Sequence, residues 1–194
     1  MERARQNSSF YTQEELLTLG FKSVGKNVLI SKKSSIYGAE NISIGNFVRI
    51  DDFCLLTGKI ELANYIHVAP FSGIFGHDQG VFFDDFSAIA SRGHIFAHSD
   101  DYSGESLTNP MTPVKFKNVK NGPVFLGKHV IVGTNSTILP GVTIGDGTAI
   151  SAHSLVKSSL ESWGIYAGVP CIKIKDRSKE LLKLEAKFLK NMSF

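Results

Sequence analysis

From Leu126 onward a branched apolar residue returns at every sixth position: Leu126, Val132, Ile138, Ile144, Ile150 and Val156. A period of six fits neither the 3.6-residue turn of a helix nor the two-residue alternation of a strand. It fits a solenoid whose coils have three short flat faces, with the sixth residue packed at an inner corner of each. One step after each apolar residue comes a small or turn-competent one (Gly127, Gly133, Leu139, Gly145, Ser151), and four steps after comes Val130, Ser136, Val142, Thr148 or Ser154. The beat also runs upstream in pieces: Val24, Ile30, Ile36, Ile42; Ile44, Ile50, Leu56; Leu62, Val68, Ile74; Phe83, Ile89, Ile95. Between pieces the phase slips. Slips at Ile42 to Ile44, Gly58 to Leu62 and Phe75 to Phe83 predict small loops or bulges at corners, because a solenoid core tolerates insertions only where the chain leaves the prism.

The slip from Ser99 to Phe125 is longer than the ~12–15 residues beyond which a structureless connection is unusual, so it predicts an external arm serving a site or a subunit contact. Asp100, Asp101, Tyr102, Gly104, Glu105, Asn109, Pro110 and Pro113 suit an ordered excursion. Thr12-Gln13-Glu14-Glu15 reads as a capping box, and Leu16, Leu17, Leu19 and Gly20 complete a short helix that covers the first coil. Leu181, Leu184 or Glu185, and Phe188 recur at helical spacing and predict a closing helix; both caps would hide strand edges. The 194 residues thus read as one all-β solenoid domain: an N-terminal cap over 1–21, coils over 24–98 and 124–172, an external loop over 99–123 and a C-terminal helix over 176–192.

The charge of +3 is modest and gathers near the C-terminus, at Lys173, Lys175, Arg177, Lys179, Lys183, Lys187 and Lys190. Such a balance does not imply nucleic-acid binding; it suits a solvated helix or a phosphorylated small ligand. No stretch approaches transmembrane length and no signal peptide is evident, so a cytoplasmic protein is expected. Cys54 and Cys171 fall on separate coils, and no disulfide is expected between them.

The hexads, the loop beginning near His98, and the closing run Trp163-Gly164-Ile165-Tyr166-Ala167-Gly168-Val169-Pro170 resemble the hexapeptide-repeat acyltransferases, which fold as left-handed parallel β-helices. Ser99-Asp100-Asp101-Tyr102-Ser103-Gly104-Glu105, followed by Thr108-Asn109-Pro110, is similar to sugar O-acetyltransferases of bacterial surface polysaccharide biosynthesis. The left hand rests on the resemblance alone, since parallel crossovers are as a rule right-handed. The resemblance also implies a homotrimer with active sites between subunits, and outward apolar residues such as Phe47, Tyr65, Phe86 and Ile131 would need a partner.

Acyl transfer needs a base of near-neutral pKa within hydrogen-bond reach of the acceptor, and histidine is the usual choice. His98 lies where the last coil gives way to the arm, with Asp100 and Asp101 placed to orient it; related enzymes hold their base at this exit. Phase-matching to the galactoside-type enzymes brings Asp100 nearest their histidine. The rival is His67, because aligning coil starts stacks Arg49, His67, Ala88 and Ile131 in a column that lines the family's acceptor groove. Asp100 and Asp101 could instead cap a turn. Tyr102, Glu105 and Asn109 are further acceptor contacts, whereas His77 and His94 read as satisfied turn residues. For acetyl-CoA, the resemblance implies backbone contacts at Gly133 or Thr134 and at Ser151 or Ala152, with Lys157, Lys173 and Lys175 near the phosphates.

The favoured activity is acetyl transfer from acetyl-CoA to a hydroxyl of a sugar destined for lipopolysaccharide, O-antigen or capsule, with no metal. The close alternative is N-acetylation of a nucleotide-linked amino sugar, which would better tolerate loss of both His98 and His67. A γ-carbonic-anhydrase-like zinc enzyme would need three converging histidines, and His94 and His98 lack that family's spacing. A non-catalytic scaffold would leave the arm and the basic terminus unexplained.

Overall fold

The computed structural model describes residues 9–192 and folds the hexads into a three-sided prism of parallel strands. β-Branched side chains suit a pleated, half-buried surface, and a turn every sixth residue keeps most strands to two or three residues. The first face stacks Leu29–Ile30, Arg49–Ile50, His67–Val68, Ala88–Ile89, Ile131–Val132, Ala149–Ile150 and Gly164–Gly168. The second runs from Ser35–Tyr37 through His94–Phe96 and Thr137–Ile138 to Leu155–Val156. The third runs from Ser23–Val24 through Ile42–Ile44 and Val124–Leu126 to Thr143–Ile144. Two long strands, Leu55–Leu62 and Gly73–Phe83, bend round the corner shared by the second and third faces.

The hexad residues form three inward columns. Ile30, Ile50, Val68, Ile89, Val132 and Ile150 make the first, and none is more than 2% exposed. Each such side chain contributes roughly 1.5–3 kcal/mol through burial. The hydroxyls four steps on are buried but satisfied: Ser136 and Ser154 donate to the Ser151 carbonyl at 3.0 and 2.8 Å, and Thr148 donates to that of Glu161 at 2.9 Å.

The expected slips are corner features. A single helical turn, Ala39–Asn41, precedes Ile42, and the register shifts at Gly58 where the long strands bulge. The excursion leaves after His98–Ser99, which pairs antiparallel with Lys120–Asn121, and the chain rejoins the third face at Val124. Thr12 caps the N-terminal helix Gln13–Thr18 as expected, donating its N–H to Glu15 Oε2 at 2.7 Å and accepting from Glu15 N at 3.2 Å. Residues 1–8 of the expected cap lie outside the described residues. Cys54 and Cys171 are free thiols, and burial pushes Cys54 up to about 11.

The C-terminal end departs from expectation in two ways. Cys171–Asp176 folds back antiparallel on Gly164–Gly168 and covers the last strand edge of the first face, so the helix begins later, at Leu181–Met192. The helix does not close the final coil but runs back along the corner between the third and first faces. There Phe47, Tyr65, Phe86 and His129 stack at centroid separations of 4.8, 4.6 and 5.2 Å, close to the ~4.8 Å strand spacing. Phe188 meets Tyr65 and Phe86 edge-on at 5.4 and 6.1 Å. Glu185 accepts from Lys128 Nζ at 2.5 Å and pairs with His129 Nε2 at 2.8 Å. Phe47, Tyr65 and Phe86 therefore find their partners within the chain, while Ile131 stays 43% exposed.

Burial works against the Glu185 carboxylate, but the bonds from Lys128 and His129 outweigh it and hold its pKa below the usual carboxylate value. A depressed carboxylate contributes stability that is complete above the unfolded pKa of ~4.3 and is lost as pH falls from there through the lower folded value. Thermal unfolding between pH 6 and pH 3 should therefore lose more stability in the wild type than in Glu185→Gln. Equal losses would show that the clasp does not hold the helix.

Candidate active site

The excursion folds over the second face and encloses with it a groove of about 590 Å³. His98, Asp100 and Tyr102 line it from the start of the arm, Pro110, Lys117 and Val119 from its middle, and Phe96, Thr137 and Leu139 from the prism. Strand pairing with Lys120–Asn121 fixes the backbone of His98. Its Nδ1 is buried with no hydrogen-bond partner among the described residues, and its ring packs on His77 at 4.8 Å. Burial, then the neighbouring His77, lowers the His98 pKa, while Asp100 opposes them. A neutral imidazole in an apolar-walled groove can accept a proton at physiological pH.

The two acids of the arm divide. Asp101 is buried, and its carboxylate accepts from Ser103 N at 3.0 Å, Ser103 Oγ at 2.8 Å and Ser106 Oγ at 2.9 Å. Those bonds, the Ser103 backbone N–H first, hold its pKa low and leave it pinning the turn. Asp100 instead lines the groove, with Oδ2 accepting from Asn109 N at 3.2 Å. Asn109, at φ 71°, accepts from Met111 N at 3.0 Å and shapes the loop. Tyr102 is 90% exposed at the rim. Glu105 lies away from the groove, in a shallow depression with Lys115 and Phe116.

His67 stands on the first face, apart from His98. The expected column is present in the register Arg49↔His67, His67↔Ala88 and Ala88↔Ile131. His67 Nε2 lies 2.7 Å from Asp51 Oδ2, and Arg49 Nε donates to Asp51 Oδ1 at 2.7 Å with its guanidinium over Phe10. A buried carboxylate thus links an exposed imidazole and an exposed guanidinium that are able to meet an anion or a hydroxyl.

Gly133 and Thr134 turn the corner just before Thr137, with Ser151 and Ala152 exposed one coil later. A Cβ on Gly133 would stand 2.5 Å from Ala152 N, so coil packing already requires glycine there. Lys157, Lys173 and Lys175 are exposed, and Lys173 pairs with Asp176 at 2.8 Å. A depression of about 610 Å³ on the third face, edged by Glu61, Asp84 and Asp146, has no histidine, lysine or arginine in its lining.

Sequence reasoning missed His77 and Lys117 as groove residues. Phe75 and Phe96 share a register, so the residues two steps beyond, His77 and His98, leave the second face together. His94 is engaged with the Arg92 carbonyl at 3.0 Å, and among the described residues no three His, Cys, Asp or Glu side chains gather as a metal site. No helix of the described residues is long and apolar enough to cross a membrane.

Residues 123–158 match the family model described as bacterial transferase hexapeptide (six repeats). The chain is 45% identical over 183 residues to a dTDP-4-amino-4,6-dideoxy-D-glucose acyltransferase of Escherichia coli, spanning 93% of this chain and 95% of that protein. AntD, an N-acyltransferase from Bacillus cereus solved with dTDP and 3-hydroxybutyryl-CoA, superposes with a TM-score of 0.95 at 52% identity, covering 97% of this chain and 100% of that one. A galactoside O-acetyltransferase of Escherichia coli K12 is 27% identical over 177 residues, 86% of this chain and 71% of that one.

Proposed function

The chain belongs to the bacterial hexapeptide-repeat transferases, and from that premise we propose that it moves an acyl group from acyl-CoA to the amino group of a dTDP-linked 4-amino-4,6-dideoxyglucose. It is an acyltransferase on a left-handed parallel β-helix. The observation that carries the acceptor is the 45% identity, along nearly the whole chain, to an acyltransferase of that amino sugar. The expected hydroxyl acceptor gives way to the amine, because O-acetyltransferase relatives stand at 27–30% identity against 45% for the amino-sugar acyltransferase.

In this reading His98 is the general base. The amine nitrogen attacks the thioester carbonyl, a C–N bond forms and the C–S bond breaks. The proton leaves nitrogen for His98 and passes to the departing CoA sulfur. Asp100 orients the acceptor or the imidazolium, and Tyr102 closes the rim. The pantetheine arm lies along the Gly133–Thr134 and Ser151–Ala152 corner, whose backbone supplies hydrogen bonds, and Lys157, Lys173 and Lys175 meet the phosphates. Much of the acceleration comes from holding donor and acceptor together. The His67–Asp51 pair at 2.7 Å supports a second reading, in which His67 is the base and Arg49 meets the acceptor's diphosphate. We place the grooves between subunits of a homotrimer, where the exposed Ile131 would be covered. Both substrates are charged and impermeant, which puts the reaction in the cytoplasm.

The test is CoA thiol release from acetyl-CoA or 3-hydroxybutyryl-CoA with dTDP-4-amino-4,6-dideoxyglucose, against the corresponding 4-hydroxy sugar nucleotide. The amine should win by roughly a hundredfold or more in kcat/KM, since a site built around one polar group rejects its replacement strongly. Comparable turnover of the hydroxyl sugar would return the chain to O-acylation.

A further inference from the structure

The groove contains a second imidazole that the transfer chemistry does not itself call for. His77 sits at φ 45° in the bulge of the strand Gly73–Phe83, at the corner between the second and third faces. Two glycines make that bulge possible. A Cβ on Gly58 would lie 2.4 Å from His77 N, and one on Gly76 would lie 2.0 Å from the Lys59 carbonyl oxygen. The left-handed backbone, costly for a residue with a β-carbon, recurs at corners along the prism. Here it lays the His77 ring against that of His98 at 4.8 Å, tilted by 36°.

We propose that His77 is a positioning residue for acyl transfer, seating its imidazole on the His98 ring so that the base meets the acceptor uncharged and in a fixed orientation. The inference rests on His98 being the base. Two imidazoles at van der Waals contact do not both take a proton readily, because the second charge would be added beside the first. The surroundings of the two rings differ. His77 is exposed, with Asp78 Oδ2 3.5 Å from its Nδ1. His98 has a buried, unpartnered Nδ1, so its charged form gains no such bond there. Of the other charged or titratable groups around the pair, Asp100, Lys117 and Tyr102 line the groove, and Lys120 lies on the strand paired with His98. Thr137, from the next coil, is neutral. Asp100 alone among them draws a proton toward His98, and His77 offsets it. Removing the His77 ring therefore removes one of the influences that keep His98 uncharged beside Asp100.

The experiment is the pH dependence of kcat/KM for wild type, His77→Phe and His98→Gln, each as the purified full chain. His77→Phe keeps a stacked ring but cannot carry charge. Its rate should fall more steeply toward acid, so that the ratio of rates at pH 8 and pH 6 grows by roughly two- to sixfold over wild type. The acceptor amine titrates alike in both enzymes and cancels from the comparison. Profiles that superimpose would overturn the proposal and leave His77 as a wall of the groove. In His98→Gln the enzyme's own acid limb should vanish. An enzyme limb that persists there would show that the base is misassigned, a failure distinct from unaltered profiles in His77→Phe. Should His77→Phe not fold, His77→Gln carries the same test, since it too cannot hold a proton.

Discussion

His98→Ala is expected to lower kcat by about 10²- to 10⁴-fold while KM for the acyl-CoA stays within about threefold. The split follows from the position of the side chain. His98 lies under the arm with Asp100 and Thr137, whereas the residues assigned to CoA lie on the corner one turn away and in the closing hairpin. Losing the imidazole removes a proton acceptor used in the transition state and leaves donor binding in place. An amine is the better nucleophile and needs the base less than a hydroxyl does, so the loss should sit near 10² with the amino sugar. Asp101→Asn provides the contrast. Its carboxylate is saturated by Ser103 and Ser106, so that change should loosen the arm and raise KM for the acceptor. If His98→Ala retains more than a fifth of wild-type kcat, the base lies elsewhere, and His67→Ala, which breaks the 2.7 Å pair with Asp51, becomes the deciding variant.

The six-residue beat made the prism legible because it is a property of one chain segment and its nearest coils. Register follows from the same beat: aligning coil starts stacks Arg49, His67, Ala88 and Ile131, and the strand pairs agree. The capping box at Thr12 was legible for the same reason, since both of its bonds span three residues. The C-terminal end was not. Apolar spacing at Leu181, Leu184 and Phe188 announces a helix but says nothing of its direction. That is set by contacts 56 residues apart in sequence, between His129 and Glu185, and by the Phe188 ring against Tyr65 and Phe86.

The candidate groove was legible as a place, while the roles of its residues were not. The break in the beat after His98 marked the groove, and His98, Asp100 and Tyr102 all line it. Asp101 is adjacent to Asp100, yet successive side chains diverge, and two serines of the same turn capture it. Glu105 follows the turn away from the groove. His77 was hidden by the phase slip of its own strand, which makes a corner residue resemble a loop residue. The choice between an amine and a hydroxyl acceptor is less legible still, because it depends on a few groove contacts and leaves no periodic trace.

Ile89→Ala should cost about 3–5 kcal/mol in denaturant unfolding, the upper part of the range for truncating a buried branched residue. Ile89 is fully buried in the middle of the first inward column, between Val68 and Val132. The loss depends on whether neighbours can close the cavity, and here the backbone forbids it. Ala88 N and Ala90 N donate to the Val130 and Val132 carbonyls at 2.8 Å, and Ala69 N donates to the Ile89 carbonyl at 3.0 Å. Those bonds hold both adjacent coils at strand spacing, so the space left by the side chain persists. Ile36 offers the control. It is only half-buried, near the start of the second face, and its environment can relax outward, so Ile36→Ala should cost about 1–2 kcal/mol. Both variants must be compared with wild type at one protein concentration, because assembly would add to apparent stability. Similar losses at the two positions would mean that the coil ladder yields to fill the gap, and that hydrogen bonding along the faces does not set the rigidity of this core.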